Sequence, residues 1–392
     1  MKRIAVVCPD DLSVVLFCKG IIDDLRNRKQ SEVYVISEEY GENTGGYYSE
    51  IIRSWGVHQI PLRMDRHIDP LEDMKYMFSL YRLFKQLKID TVVNISTKPN
   101  IYGTIAARLA GIEKSLCSVW GRGTAFIENN GVTGNILRIL LLSLYSISFR
   151  LSTKVWFTNI NDYNYFIAHR TVPRHKTILT KNYVNADEYR PYTLPKDRLA
   201  ELREDLDLNG QDKMVIMVGR MIWAKGVGEF IMASKILAEK LPNVKFILVG
   251  PEETTSPDAV PAGYLRESDS AANFKWVGFR KDVKDLYAIS DLAVLPSYYR
   301  EGGYPRALTE PMAMGKPVIA ADSEDCRSPV ENGKNGYLVP IKNARALADA
   351  IEELMLDDGK RDQFGQYSRV KVKREYDEKV IVKEVIDAFL EN

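Results

Sequence analysis

Ser297–Gly315 reads SYYREGGYPRALTEPMAMG and follows directly on the strand-like run Leu292–Pro296. Glu301 and Glu310 stand on either side of a paired-glycine turn, Gly302–Gly303, and the start of a helix. The glycines permit a tight turn and leave backbone N–H groups bare. Pro305 suits the first turn of a helix, where its missing N–H would have had no partner. A helix that starts beside a bare glycine loop is a natural anion site. With a carboxylate at each end, such a cradle suits a ligand that is part phosphate and part polyol. A nucleotide sugar is such a ligand: its hydroxyls donate to carboxylates and its diphosphate accepts from backbone N–H groups.

Around this stretch, short β-branched runs alternate with helical patterns, which predicts parallel sheets with crossover helices. In the first half the strand candidates are Arg3–Cys8, Val33–Ser37, Thr91–Ser96, Ser115–Trp120, Lys154–Thr158 and Thr177–Lys181. A second series runs through Lys213–Arg220, Lys245–Gly250, Phe274–Gly278, Leu292–Pro296, Pro317–Ala321 and Tyr337–Pro340. Two complete series predict two doubly wound domains, and ligands of such sheets bind outside the strand carboxyl ends. The break falls near Asn185–Asp212, which is polar and carries Pro191, Pro195 and the charged segment Lys196–Leu206. It reads as a linker rather than a core element.

At 392 residues the chain is too long for one core. Its net charge of +1 gives no reason to expect a nucleic-acid partner. Cys8, Cys18, Cys117 and Cys326 are scattered without a CxxC pair, and His58, His67, His169 and His175 do not cluster. Reduced thiols and no metal or other cofactor are the expectation. Lys2–Arg3 leads straight into the strand-like IAVVC, unlike a signal peptide. The longest apolar run, Ile136–Ile147, is interrupted by Arg138 and reads as too short to span a bilayer. A cytoplasmic protein is expected.

Cations stand near the same predicted sheet edge. In MVGRMIWAKGVGEF (Met217–Phe230), Arg220 ends a strand and Lys225 lies in the loop before a helix. A planar fork and a point charge together suit a diphosphate. Either alone reads as a solvated loop cation, but Gly219, Gly226 and the glutamate loop reverse that preference. In the first half, three strand-end loops are candidate acceptor sites. Cys8–Gly20 carries Asp11 and Ser13, Ser96–Gly103 carries Lys98, and Trp120–Phe126 carries Arg122. Lys98 either binds an acceptor phosphate or caps a helix start. Met74–Lys88 and Asn135–Arg150 mix apolar and basic residues at helical spacing. They have the composition of interfacial helices and equally that of core helices.

GRMIWAKG, EGGYPRALTE, MAMGKPVIAAD and NGKNGYLVP together resemble the retaining glycosyltransferases of family 4. KNYVNADEYRP (Lys181–Pro191) is similar to the family's hinge segment. The resemblance implies the GT-B fold, two Rossmann-like doubly wound α/β domains facing across a cleft. Residues 1–188 would form the acceptor-binding domain, with the final helix 378–392 crossing back to it. Residues 189–377 would form the nucleotide-sugar-binding domain. The resemblance also assigns roles. Arg220 and Lys225 would hold the donor diphosphate, and Glu301 the transferred sugar. Gly219, Gly302, Gly303 and Tyr304 would line the donor, Glu310 would accept from the ribose, and Arg280 would lie by the base. The family's spacing between its two glutamates is one residue shorter than here, and its first-domain histidine is replaced by Thr97–Lys98. Similarity to bacterial enzymes that extend lipid-linked saccharides with N-acetylhexosamine implies a UDP-sugar donor and a lipid-linked saccharide acceptor. It also implies retention without a metal and a peripheral position on the inner face of the membrane. A nucleotide-sugar epimerase and a non-catalytic nucleotide-sugar binder are the competing readings.

Overall fold

Strands that bury both faces read as nearly continuous apolar runs, and successive side chains leave on opposite sides. In the strand Lys213–Val218, Met214 and Ile216 enter one core while Val215 and Met217 enter another. The computed structural model describes residues 2–28, 31–39, 46–65, 68–122, 126, 131–254, 256–269, 273–300 and 305–391. It divides into two compact units, Met1–Lys181 with Lys379–Asn392, and Asn182–Glu378.

The first unit holds a seven-stranded sheet. Its strands are β1 (Arg3–Asp10), β2 (Glu32–Glu38), β3 (His58–Pro61), β4 (Thr91–Ile95), β5 (Lys114–Val119), β6 (Lys154–Phe157) and β7 (Thr177–Leu179). The order is β3-β2-β1-β4-β5-β6-β7 and every pair is parallel. The second unit holds β8 (Lys213–Val218), β9 (Val244–Val249), β10 (Phe274–Trp276), β11 (Leu292–Leu295), β12 (Val318–Ala321) and β13 (Gly336–Val339). Their order, β10-β9-β8-β11-β12-β13, is again all parallel. Both sheets wind outward from a central pair, so adjacent crossovers diverge at β1/β4 and at β8/β11. Such a divergence opens a crevice at the strand carboxyl ends.

Three expectations change. The edge strand β3 (HQIP) was not foreseen, because one short, half-exposed partner of β2 carries too little apolar signal. The segment expected as a linker packs instead into the second unit. Leu194, Leu202, Leu206 and Leu208 are buried in its core, on and around the helix Lys196–Asp205. Its leucines recur at helical spacing, which the charges between them obscure. Finally, the apolar run at Ile136 belongs to a 21-residue helix, Gly131–Leu151. Its window Gly134–Leu151 is long and apolar enough to cross a membrane by length and composition. In the fold it is the crossover from β5 to β6, with Tyr145 and Phe149 fully buried.

The last helix, Glu378–Leu390, begins beside the point where the chain enters the second unit. Val184 N–H donates to Tyr376 O at 2.9 Å, and Glu378 N–H donates to Val184 O at 3.0 Å. Its far end belongs to the first unit, where Asp387 pairs with Arg28 and Leu390 O accepts from Lys114 Nζ at 3.0 Å. All four cysteines are buried and none is disulfide-bonded.

Close approach of strand ends depends on glycine at Gly226. Its φ is +82°, and a Cβ there would lie 2.4 Å from Pro296 O. Gly226→Ala is expected to cost about 2 kcal/mol or more, combining left-handed strain with the clash. Gly210→Ala, in open space, should be close to neutral. Thermal denaturation midpoints of the two variants check this; equal shifts would refute the packing role of Gly226.

Candidate functional site

The second unit's crevice is built by the loops after β8, β9, β11 and β12. After β8 the chain makes a single 3-10 turn, Trp223–Lys225, and passes through Gly226 into the helix Val227–Leu237. The Ala224 carbonyl accepts from Tyr298 N–H and Tyr299 N–H, each at 2.9 Å. Ala224 N–H donates to Asp258 Oδ2 at 2.8 Å, and Ser323 Oγ donates to Ser297 O at 2.8 Å. These bonds tie four strand ends together. Gly250, at the end of β9, approaches so closely that a Cβ would meet Gly219 O at 1.8 Å.

This bracing places Tyr299 beside both expected cations. Arg220 Cζ lies 5.1 Å from the Tyr299 ring centroid and Lys225 Nζ lies 5.5 Å from it. Both are within cation–π range. Arg220 also faces Glu253 at 3.8 Å and remains half exposed. Gly219 stands beside the pair, 3.8 Å from Lys225 Cδ for a Cβ placed on it. A phenol face that gathers two cations at a strand edge makes an anion-binding arrangement in which the charges are already positioned. The sequence reading passed over Tyr299, although it directly precedes the quoted Arg300–Glu301. Glu301, Gly302, Gly303 and Tyr304 lie outside the described residues.

Glu310 sits on the helix Arg306–Ala313 and is only 8% exposed. Arg306, one turn earlier, pairs with it at 2.7 Å. Burial raises the Glu310 carboxyl above the ordinary glutamate value, and Arg306 offsets part of that rise. Burial pulls Arg306 down, but Glu310 outweighs it and holds the guanidinium above its ordinary value. The carboxylate is therefore oriented by Arg306. Arg280 is more fully engaged. Its Nε and Nη2 donate to Asp282 at 2.8 and 2.7 Å, and Nη1 pairs with Asp205. Asp282 is shared with Arg198 at 2.5 Å. With its guanidinium committed to two carboxylates, any contact with a ligand base falls to the backbone around Arg280.

In the first unit the expected residues separate. Asp11 is fully buried and accepts from Ser49 Oγ at 2.8 Å, so it anchors the helix Tyr47–Ser54 and offers nothing to an acceptor. Expecting it at the surface overlooked that the first turn of its helix packs inward. Ser13 N–H donates to the capping Asp10 at 2.7 Å. Lys98 and Arg122 do come together, lining a cavity of about 340 Å³ at the carboxyl ends of β4 and β5. Lys98 makes no cap. It pairs with Asp73 of the helix Pro70–Leu87, whose other oxygen accepts from Tyr102 OH at 2.9 Å. Arg122 Nε donates to Asp162 at 2.7 Å, and its guanidinium lies 4.3 Å from the Tyr165 ring centroid. Ser96, which leads from β4 into this site, has φ +77°. That region costs a non-glycine residue roughly 1–2 kcal/mol. Asp73 and Asp162 were not foreseen, since nothing in the sequence links positions so far apart. Among the described residues, no group of three or more His, Cys, Asp or Glu side chains could hold a metal ion.

Residues 200–371 match the family Glycosyl transferases group 1, and residues 11–159 match Glycosyl transferase 4-like. The chain carries glycosyltransferase group 1 and 4-like domains in the GT-B fold. It is 26% identical over 389 residues to a Campylobacter jejuni enzyme, N,N'-diacetylbacillosaminyl-diphospho-undecaprenol alpha-1,3-N-acetylgalactosaminyltransferase. That alignment covers 99% of this chain and 98% of the relative. A Staphylococcus aureus relative, the capsular polysaccharide biosynthesis glycosyltransferase CapM, is 27% identical, with 94% of this chain and 91% of the relative covered. Among solved structures, Anabaena Alr3699/HepE in complex with UDP and glucose superposes with a TM-score of 0.78 at 19% identity over the whole of both chains. A Rickettsia africae glycosyltransferase gives 0.80 at 19% identity, covering all of this chain and 98% of that one. These structures share the fold, and the family makes the protein a glycosyltransferase.

The buried pair in this glycosyltransferase gives a signed pH effect. Arg306→Met leaves Glu310 buried without its offset, which drives the carboxyl's folded-state value higher still. Stability should then be retained at low pH, where Glu310 is protonated, and lost as pH rises through that value. About 2 kcal/mol more destabilisation is expected at pH 8 than at pH 4.5. Denaturation at the two pH values checks it, and an equal loss at both would contradict the coupling.

Proposed function

We propose that this glycosyltransferase moves a hexose or N-acetylhexosamine from a UDP-sugar, with retention of configuration, to a saccharide carried on undecaprenyl diphosphate. The product would enter surface polysaccharide or glycan synthesis. The observation that carries the reading is the convergence of Arg220 and Lys225 on the Tyr299 ring at the β8/β11 divergence. Two further supports come from similar proteins. The Campylobacter jejuni relative and an Escherichia coli relative, UDP-Gal:alpha-D-GlcNAc-diphosphoundecaprenol alpha-1,3-galactosyltransferase (26% identical), both carry a diphosphoundecaprenol acceptor in their names. HepE, of the same fold, holds UDP and glucose.

In this reading the second unit binds the donor. Arg220 and Lys225 hold the diphosphate, with Gly219 beside them and Glu301, Gly302, Gly303 and Tyr304 at the sugar. Glu310, set by Arg306, accepts from the ribose hydroxyls. The bond from the anomeric carbon to the diphosphate oxygen breaks as the acceptor oxygen attacks from the same face. The acceptor's hydroxyl proton passes to the departing diphosphate oxygen, and UDP leaves. Stabilising charge on that oxygen is the main contribution of the two cations, and the step needs no metal. Lys98 and Arg122 of the first unit serve the acceptor, and the protein works at the cytoplasmic face of the membrane as a peripheral enzyme.

Lys225→Ala should lower turnover with a UDP-sugar by about 10²–10³-fold, the typical effect of removing one such donor, without changing the circular dichroism spectrum. Wild-type-like transfer would refute the diphosphate role. In a thermal-shift screen of UDP, GDP and ADP, UDP alone should raise the melting temperature of the wild type, because it binds only the folded chain. A flat response to all three would refute the donor assignment.

A further inference from the structure

We propose that the first-unit cavity binds the diphosphate-proximal end of a polyprenyl chain, phosphate on its floor and isoprene between its walls. The proposal rests on the lipid-linked acceptor read above and assigns that lipid a place.

The cavity is divided by chemistry. Its polar groups are Asp73, Thr97, Lys98, Tyr102 and Arg122, and Asp73 bonds both Lys98 and Tyr102. Its walls are aliphatic: Met74 from the helix Pro70–Leu87, Ile101 from the turn after β4, and Leu137, Leu140 and Leu144 from the helix Gly131–Leu151. A volume of about 340 Å³ lies within the range of small-molecule sites, about 300–1,000 Å³. A bare saccharide would find few hydrogen-bond partners along such walls, and a bare phosphate would leave them empty. A ligand with an anionic end and a branched aliphatic body meets both.

The floor keeps donor capacity although each cation has a carboxylate. Asp73 divides itself between Lys98 and Tyr102 OH, and Asp162 divides itself between Arg122 Nε and Asn159 Nδ2. Arg122 is 8% exposed, and its Nη2 has no hydrogen-bond partner among the described residues. A buried guanidinium nitrogen without an acceptor is costly, and a phosphate oxygen would supply one through a charge-assisted bond. The strained Ser96 leads into the same floor.

The mouth continues the apolar surface outward. The helix Pro70–Leu87 buries Tyr76, Leu80 and Phe84 but exposes Leu71, Met74 and Phe78, a second stripe at helical spacing. The helix Gly131–Leu151 likewise exposes Ile136, Ile139 and Leu140. A chain longer than the cavity would run out along these residues.

Calorimetric titration of the full-length protein, saturated with UDP, against farnesyl diphosphate tests the assignment. Inorganic pyrophosphate and farnesol are the comparison ligands. Farnesyl diphosphate should bind at least about tenfold more tightly than either, since each lacks half of the contacts. Met74→Trp and Leu140→Trp, which fill the cavity from two different helices, should each weaken it about tenfold and leave UDP affinity unchanged. Displacement of farnesyl diphosphate by UDP would place it at the donor site and overturn the proposal. Equal affinity in wild type and both variants would also overturn it, as would equally tight farnesol or pyrophosphate. Those results leave the donor reading intact, which fails separately if UDP itself does not bind.

Discussion

The Ala224 carbonyl, accepting from two consecutive backbone N–H groups at Tyr298 and Tyr299, holds the second unit's crevice in shape. It joins the loop after β8 to the loop after β11, the two strands whose crossovers diverge. Without that joint the Tyr299 ring has no fixed place, and the two cations have no common surface. The joint in turn depends on Gly226, because any side chain there would push the 3-10 turn off Pro296. Backbone geometry, rather than any single charged residue, therefore sets the spacing of the cations. Pre-positioned charge is what catalysis of this kind requires, since dipoles that must reorganise during the reaction give back much of their stabilisation.

The two units apply one topology to different chemistry. In the second, the crevice presents cations that remain accessible, with Arg220 half exposed at its edge. In the first, Lys98 and Arg122, after β4 and β5, are drawn inward and shared with Asp73 and Asp162. A solvated cation suits a hydrophilic diphosphate that arrives and leaves on every cycle. Cations at the bottom of an aliphatic cavity are screened little by salt, so they discriminate among anions by what is attached to them.

Much of this was legible in the sequence, and the exceptions have physical causes. Strands buried on both faces announce themselves as apolar runs, and so both sheets were foreseen apart from β3. Its HQIP carries one side of a pair and little burial. Arg220 and Lys225 were legible because they flank a strand end and a glycine within a few residues. Tyr299 was not, since an aromatic residue before a loop has no signature until another loop is known to fold against it. Asp11 shows the reverse error: an acid in a strand-end loop looks available, yet one turn of helix buries it against Ser49. The Lys98–Asp73 pair spans 25 residues and two elements, and no local pattern encodes it. The linker reading of Asn185–Asp212 failed because charge dominates the composition while Leu194, Leu202, Leu206 and Leu208 decide the packing.

Glu310 shows how a local pair within one helix sets the chemistry of a buried acid. A buried carboxyl is the stronger acceptor when ionised, yet burial on the helix Arg306–Ala313 opposes ionisation. Exposing it to water would ionise it and forfeit its fixed orientation. Arg306, one helical turn away, offsets part of that burial by favouring the ionised form, and the helix fixes the direction of both groups. Tyr189 adds a hydrogen bond to the same carboxylate, which also favours the ionised form. The sequence places Arg306 directly after Pro305, at the start of the same helix. The residue that starts the helix and the residue that tunes its acid are thus neighbours.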